Sequence, residues 1–286
     1  MGPAFAMLGV SVVLFGGTWP VTKAAVDAGA TPLWFGLSRA GLAALMAAML
    51  LAALGRLRLP SRQDWRVVAA IGLLQIGGFF ALAHLALLVV PAGRTSVLAN
   101  VVTYWLIPLS MLFLGERVSA RRWVAAALGL AGVGALAGPW AVDWGSAREL
   151  LGHGMLMLAA LLWSVAIVVT RRWPPHRPML EQLPWCFGLG TLVLGPLALL
   201  AEPRGGIPAA AWPHMLAVGG VAAPVGTWCV IEVGRRLPGA VSSVGFLLVP
   251  AVGVILAALW LGEPVGWDVL AGGALIVASV ALAARG

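Results

Sequence analysis

Ten times in 286 residues the chain runs apolar for about twenty residues before charge, glycine or proline interrupts it, and this succession leaves few folds open. The runs cover Ala4 to Val26, Pro32 to Leu54, Trp65 to Leu88, Ala92 to Leu114 and Ala120 to Leu136. After a polar stretch from Trp140 to Glu149 come Leu150 to Val169, Leu180 to Leu200, Trp212 to Ile231, Gly239 to Leu261 and Val265 to Ala284. At ~1.5 Å per residue these lengths fall in the range of about 17–25 residues that a membrane-crossing helix needs. With 61% hydrophobic and 10% charged residues and a mean hydropathy of +0.99, the chain carries too few charges to cover a water-soluble globule of its size. The expectation is an all-α polytopic membrane protein with ten transmembrane helices. Nothing basic precedes the first run, so it is expected to remain as a helix rather than be cleaved as a signal peptide.

The net charge of +8 matters here through where the arginines fall along the chain, and no nucleic-acid partner is expected. With the N-terminus in the cytoplasm, thirteen basic residues face inside: Arg56, Arg58, Arg62, Arg66, Arg117, Arg121, Arg122, Arg171, Arg172, Arg177, Arg235, Arg236 and Arg285. Only Lys23, Arg94, Arg148 and Arg204 face outside, and Arg39 lies within the second run. The excess of basic residues inside predicts both termini to be cytoplasmic. Cys186 and Cys229 sit in apolar segments and imply no disulfide. One lysine against seventeen arginines, with much Ala, Gly and Pro, points to G+C-rich coding and so to a bacterial inner membrane.

Leu-Gly-Glu occurs in "LFLGERV" (Leu112 to Val118) and again in "LWLGEPV" (Leu259 to Val265), 147 residues later. At the same offset Pro91 falls on Pro238, Thr95 and Ser96 on Ser242 and Ser243, and Val118 on Val265. Such self-similarity marks a duplicated architecture. Five runs per half is an odd number, so the second copy enters the membrane upside down relative to the first. The predicted organisation is a first repeat over 1–139, an external linker over 140–149 and a second, inverted repeat over 150–286. Locally each motif reads as a corner: Gly115 and Gly262 suit the left-handed residue that closes a helix, and Glu116 and Glu263 favour the positive end of the helix that follows. Pro264 fits the first position of that next helix.

These residues resemble the drug/metabolite transporter superfamily, specifically its EamA-type branch of ten helices in two five-helix repeats. The matching stretches are "FGGTWPVTKAA" (Phe15 to Ala25), "LSRAGLAALM" (Leu37 to Met46), "PAGRTSVLAN" (Pro91 to Asn100), "LLWSVAIVVTRR" (Leu161 to Arg172) and "PGAVSSVGFLLVPAVGVILAALWLGEPV" (Pro238 to Val265). Phe15 stands where the family usually has Trp. Thr103 stands where the fourth helix usually has the proline retained here as Pro250. Within the branch the chain is most similar to amino-acid exporters of the YddG type. The resemblance implies inner-membrane transport of a small molecule.

Inverted-repeat transporters bind near the bilayer midplane, between their halves. Trp34, Trp65, Trp123, Trp140, Trp144, Trp173, Trp212 and Trp267 lie near run ends and read as interfacial anchors. Trp19, Trp105, Trp163 and Trp228 lie deeper. Trp19 and Trp163 hold neighbouring positions in the equivalent first helices of the two halves, where they either form an aromatic wall or simply pack. Such a wall could stack on a substrate ring or hold an amine by cation-π contact worth roughly 0.5 to 2 kcal/mol. Phe80 and His84 share one face of the third run, and an intramembrane histidine is either a functional group or a satisfied core residue. Asn100, Tyr104, Ser242, Ser243 and Phe246 complete the expected substrate lining, the hydroxyls serving as ligands or as helix caps. Arg39, about 10 Å from the outer end of its helix at ~1.5 Å per residue, is expected to act structurally at an outer gate or to bind a substrate carboxylate, and Pro250 is grouped with it as structural.

Acidic residues are missing from the centre of every run, which argues against cation/proton antiport. No phosphate-binding loop, metal-ligand cluster or nucleophile-base pair is visible, so ATP drive, a metal, a cofactor and enzymatic activity are not expected. The expected function is secondary export of neutral amino acids, bulky or aromatic ones in particular, or similar small metabolites. The alternative is efflux of hydrophobic cations or drugs. The expected partners are the small-molecule substrate and the lipid bilayer, with the chain acting as a monomer or homodimer.

Overall fold

The computed structural model describes residues 2–115, 120–136, 143–236, 245–246 and 248–284; Glu116, Ser242 and Ser243 lie outside them. No strand occurs among the described residues. The helices are α1 (Gly2–Asp27), α2 (Pro32–Ala53), α3 (Asp64–Ala86), α4 (Ala92–Leu98), α5 (Val102–Leu114), α6 (Ala120–Leu136), α7 (Ala147–Arg172), α8 (Met179–Ala201), α9 (212–236), α10 (Leu248–Leu261) and α11 (Trp267–Ala284). Five of them, α1, α2, α3, α7 and α8, are long and apolar enough to cross a membrane, and shorter apolar helices accompany them. Leu112, Leu200 and Leu259 are 77%, 82% and 81% exposed, an arrangement costly in water but at home against lipid tails.

Two departures from straight helices matter for the site. The fourth run is broken: residues 99–101 separate α4 from α5, with Asn100 and Val101 reaching back only three residues for their carbonyl partners. In addition, α3 carries a π segment over Ala70–Gly78, and α9 carries one over Leu216–Ala222. Glycine permits a neighbour's backbone to come close at both. A Cβ at Gly72 would stand 3.0 Å from Cys186 O of α8, and one at Gly219 would stand 2.9 Å from the Arg39 Cα of α2. The wider turn shifts the face offered by the residues after it, and Phe79 and Phe80 are both buried.

The packing partners form a set that maps onto itself when the two halves are exchanged. Helix α1 lies against α9 and α10, as α7 lies against α3 and α5; α3 meets α8 as α9 meets α2; and α2 with α8, α6 with α11, and α4 with α10 pair directly.

The corner glycines behave as their sequence context predicts, Gly115 and Gly262 adopting φ of 66° and 67°. The glutamate after Gly262 does not. Helix α11 begins only at Trp267, so Pro264 belongs to the connection rather than to the first turn. Glu263 turns instead to the start of α4, where its two carboxylate oxygens accept the Ala92 and Gly93 N–H groups at 2.7 and 2.8 Å.

Candidate functional site

An aromatic cluster fills the space between α1, α3 and α7. The ring of Phe79 stands between two tryptophans, edge-on to Trp163 at 4.8 Å between centroids and to Trp19 at 6.0 Å. Phe80 follows at 6.1 Å and leads to His84 at 5.6 Å, which in turn meets Phe35 of α2 edge-on at 5.9 Å. Edge-to-face pairs of this kind contribute about 0.5–1.5 kcal/mol each beyond their area burial. Trp19, Phe80, His84 and Trp163 are thus brought together as one group. Phe79, the centre of the group, is absent from the sequence-derived lining. Its signal was the doubled phenylalanine after two glycines, which a regular helix would have divided between two faces.

Arg39 enters this group from α2. Its guanidinium lies 4.2 Å above the Phe80 ring, and Nη1 donates to His84 Nε2 at 3.3 Å. Since arginine only donates, Nε2 is the acceptor and the imidazole is neutral, its proton on Nδ1. Gly36 makes room for that ring: a Cβ there would sit 2.7 Å from His84 Nδ1. Arg39 is 6% exposed, its Nε has no hydrogen-bond partner, and among the described residues no carboxylate pairs with it. A cation-π contact of about 0.5–2 kcal/mol and one charge-assisted hydrogen bond of about 1.5–3 kcal/mol offset only part of the several kcal/mol needed to desolvate an ion.

The break between α4 and α5 adjoins the cluster through Ser164, the neighbour of Trp163, whose hydroxyl lies 2.8 Å from Val102 O. Discontinuous helices of this kind expose backbone polar groups inside transport proteins. Asn100 sits in the break and donates from Nδ2 to Ser96 O at 2.7 Å. Thr95 and Ser96 are fully buried.

Other expected lining residues lie elsewhere. Tyr104 packs on Gly129 of α6, where an added Cβ would fall inside its ring. The break also removes the regular turn that would have put Asn100 and Tyr104 on one face. Phe246 joins Ala4, Leu8, Val12 and Val233 near the start of α1. Pro250 is buried in α10, one turn before Gly253, which admits the Ser96 side chain. Trp105 and Trp228 are 37% and 39% exposed, facing away from the core.

Polar ties close the expected outer end. Glu263 caps α4, and Arg94 pairs with Asp268 at 2.7 Å. Between them lies a cavity of about 110 Å³ lined by Pro91, Gly93, Val254 and Val269 among others. The α4 start that could have offered bare N–H groups to a ligand is therefore occupied by protein. Glu202, unforeseen from sequence, caps α2 in the same manner through Leu33 and Trp34 N–H at 3.1 and 3.2 Å. At the opposite end Asp64 accepts from Ser61 and from His176 N–H, while Glu181 accepts from both Arg56 Nε and Nη2.

Five helices long and apolar enough to cross a membrane, with leucines turned outward from the bundle, mark a multi-pass membrane protein. The chain belongs to the EamA-like transporter family, whose profile matches residues 3–137 and again 150–285. It is 27% identical over 96% of its length to a probable terminal-alkyne amino-acid exporter of Streptantibioticus cattleyicolor, covering 91% of that protein. To the uncharacterized transporter YvbV of Bacillus subtilis it is 26% identical, over 96% of this chain and 90% of the other. A riboflavin transporter of Rhizobium johnstonii is 30% identical over 70% of this chain and 61% of its own. A solved protein crystal structure superposes with a TM-score of 0.68 at 20% identity, covering 99% of this chain and 96% of that one, which establishes a shared fold.

Proposed function

We propose that this protein is a secondary transporter of a bacterial inner membrane that exports neutral amino acids, bulky or aromatic ones above all, by alternating access without obligatory proton coupling. The observation that carries the reading is the ring cluster of Trp19, Phe79, Phe80 and Trp163 meeting a buried Arg39–His84 pair where helices of the two halves converge. Aromatic edges and faces suit an apolar side chain, and the cation suits an acid. That charge pattern argues against hydrophobic cations as cargo, since the described residues offer them no mid-bundle carboxylate. The amino-acid exporter among the relatives supports the same direction.

In this reading the chain makes ten spans in two oppositely inserted repeats with both termini cytoplasmic, and Ser242 and Ser243 join the lining from the second half. The exchange symmetry of the packing and the two family matches support it. Neutral His84, held as an acceptor by Arg39, has no role in carrying a proton while that bond stands. The test is flux of labelled L-phenylalanine and L-leucine in liposomes holding the purified protein, with and without a pH gradient. Downhill flux that the gradient leaves unchanged is expected. Accumulation driven by the gradient and lost in His84→Ala would overturn the uncoupled mechanism, and absence of flux for every amino acid tried would overturn the substrate class.

A further inference from the structure

We infer that Arg39, positioned by His84 and Phe80, is the carboxylate-recognition end of the transport site, so that the cargo is read as a carboxylate carried on an apolar or aromatic body. This deepens the reading above and rests on the ring cluster being the site. Three observations carry it. Arg39 is 6% exposed and its Nε is buried without a partner. No described carboxylate meets it, although every other carboxylate drawn into the polar ties at the two ends of the bundle has found protein donors. One face of the guanidinium rests on Phe80, and Nη1 is held by His84, an acceptor without charge. The group is therefore fixed in place while its charge remains uncompensated, the state in which an arriving carboxylate gains most.

The same contacts set the spacing of the recognised molecule. Phe80 touches Arg39 on one side and Phe79 on the other, and Phe79 leads to Trp163. An acid bound at Arg39 would thus lay its apolar part along Phe79 toward the two tryptophans. Access requires α2 to separate from α9, whose Gly219 lies against the Arg39 backbone, and such parting of the halves is what alternating access provides.

The experiment is counterflow of labelled L-phenylalanine into liposomes, opposed by two competitors that divide the molecule: 3-phenylpropionate, which keeps the carboxylate, and phenethylamine, which keeps the amine. In the unaltered protein 3-phenylpropionate is expected to compete at least roughly tenfold better, the worth of one charge-assisted hydrogen bond. In Arg39→Gln that preference should vanish, whatever the amount of protein recovered, and Arg39→Lys should restore part of it. A purely structural arginine would lower flux in the variant without altering the ratio between competitors, and that result overturns the inference. Equal competition in the unaltered protein does so with no variant needed. If phenylalanine is not carried at all, quenching of tryptophan fluorescence by the two compounds decides separately: a carboxylate preference keeps the inference while the proposed cargo falls, and no preference removes both.

Discussion

At the residue scale, the site depends on which side chains a helix turns toward the same space. Trp19, Phe80, His84, Trp163 and Arg39 were legible from sequence because each places an aromatic ring, an imidazole or a charge inside an apolar run, and all five meet in one cluster. Phe79 was not, because the π segment before it changes which face follows. Tyr104 and Phe246 looked equivalent by type and depth, yet close approach of α6 at Gly129 takes the first away from the centre, and the start of α1 takes the second. Four single substitutions separate these positions. Trp163→Ala and Phe79→Ala are expected to lower amino-acid flux per folded molecule by roughly tenfold or more, from lost ring contacts and a cavity beside them. Trp105→Ala and Tyr104→Phe should leave it nearly unchanged. Counterflow normalised to protein surviving size-exclusion chromatography measures this, and equal losses in all four would deny the cluster a role in transport.

At the element scale, the apolar runs marked out the five long helices to within a few residues because lipid-facing helices are defined by hydropathy and length, whereas the fourth run proved to be two helices and the start of the ninth lies outside the described residues. What hydropathy does not encode is which helix end a carboxylate caps. Glu263 was expected to serve the helix after it and serves α4 of the other half, and Glu202 does the same for α2. Each tie joins segments about 170 residues apart in sequence, beyond any local signal. These caps also hold the expected outer ends of the halves together. Glu263→Gln keeps the shape but removes the charge and one of the two acceptor oxygens, so thermal stability in detergent should fall by an amount equivalent to about 1–2 kcal/mol. Glu149→Gln, on an exposed helix start, should cost less. An unchanged unfolding temperature for Glu263→Gln would show that the cap contributes nothing to closure.

At the scale of the whole molecule, the repeated Leu-Gly-Glu accompanies two matches of one family profile, over 3–137 and 150–285, and the described helix contacts map onto themselves when the two halves are exchanged. The duplication was legible through one offset and is met by the two family matches, whereas the proposed orientation rests on the distribution of arginine. The packing of the ring cluster was not legible, because it depends on side chains from different helices meeting across the halves. The central claim is that two oppositely inserted halves close around one site. Its most direct test uses single cysteines in place of Asp143, before α7, and of Pro174, after it, with the buried Cys186 and Cys229 replaced by alanine. An impermeant maleimide added to intact cells should label the cysteine at 143 and leave the one at 174 unlabelled until the membrane is opened. Labelling of both positions from the same side would contradict the inverted arrangement and, with it, a site shared between the halves.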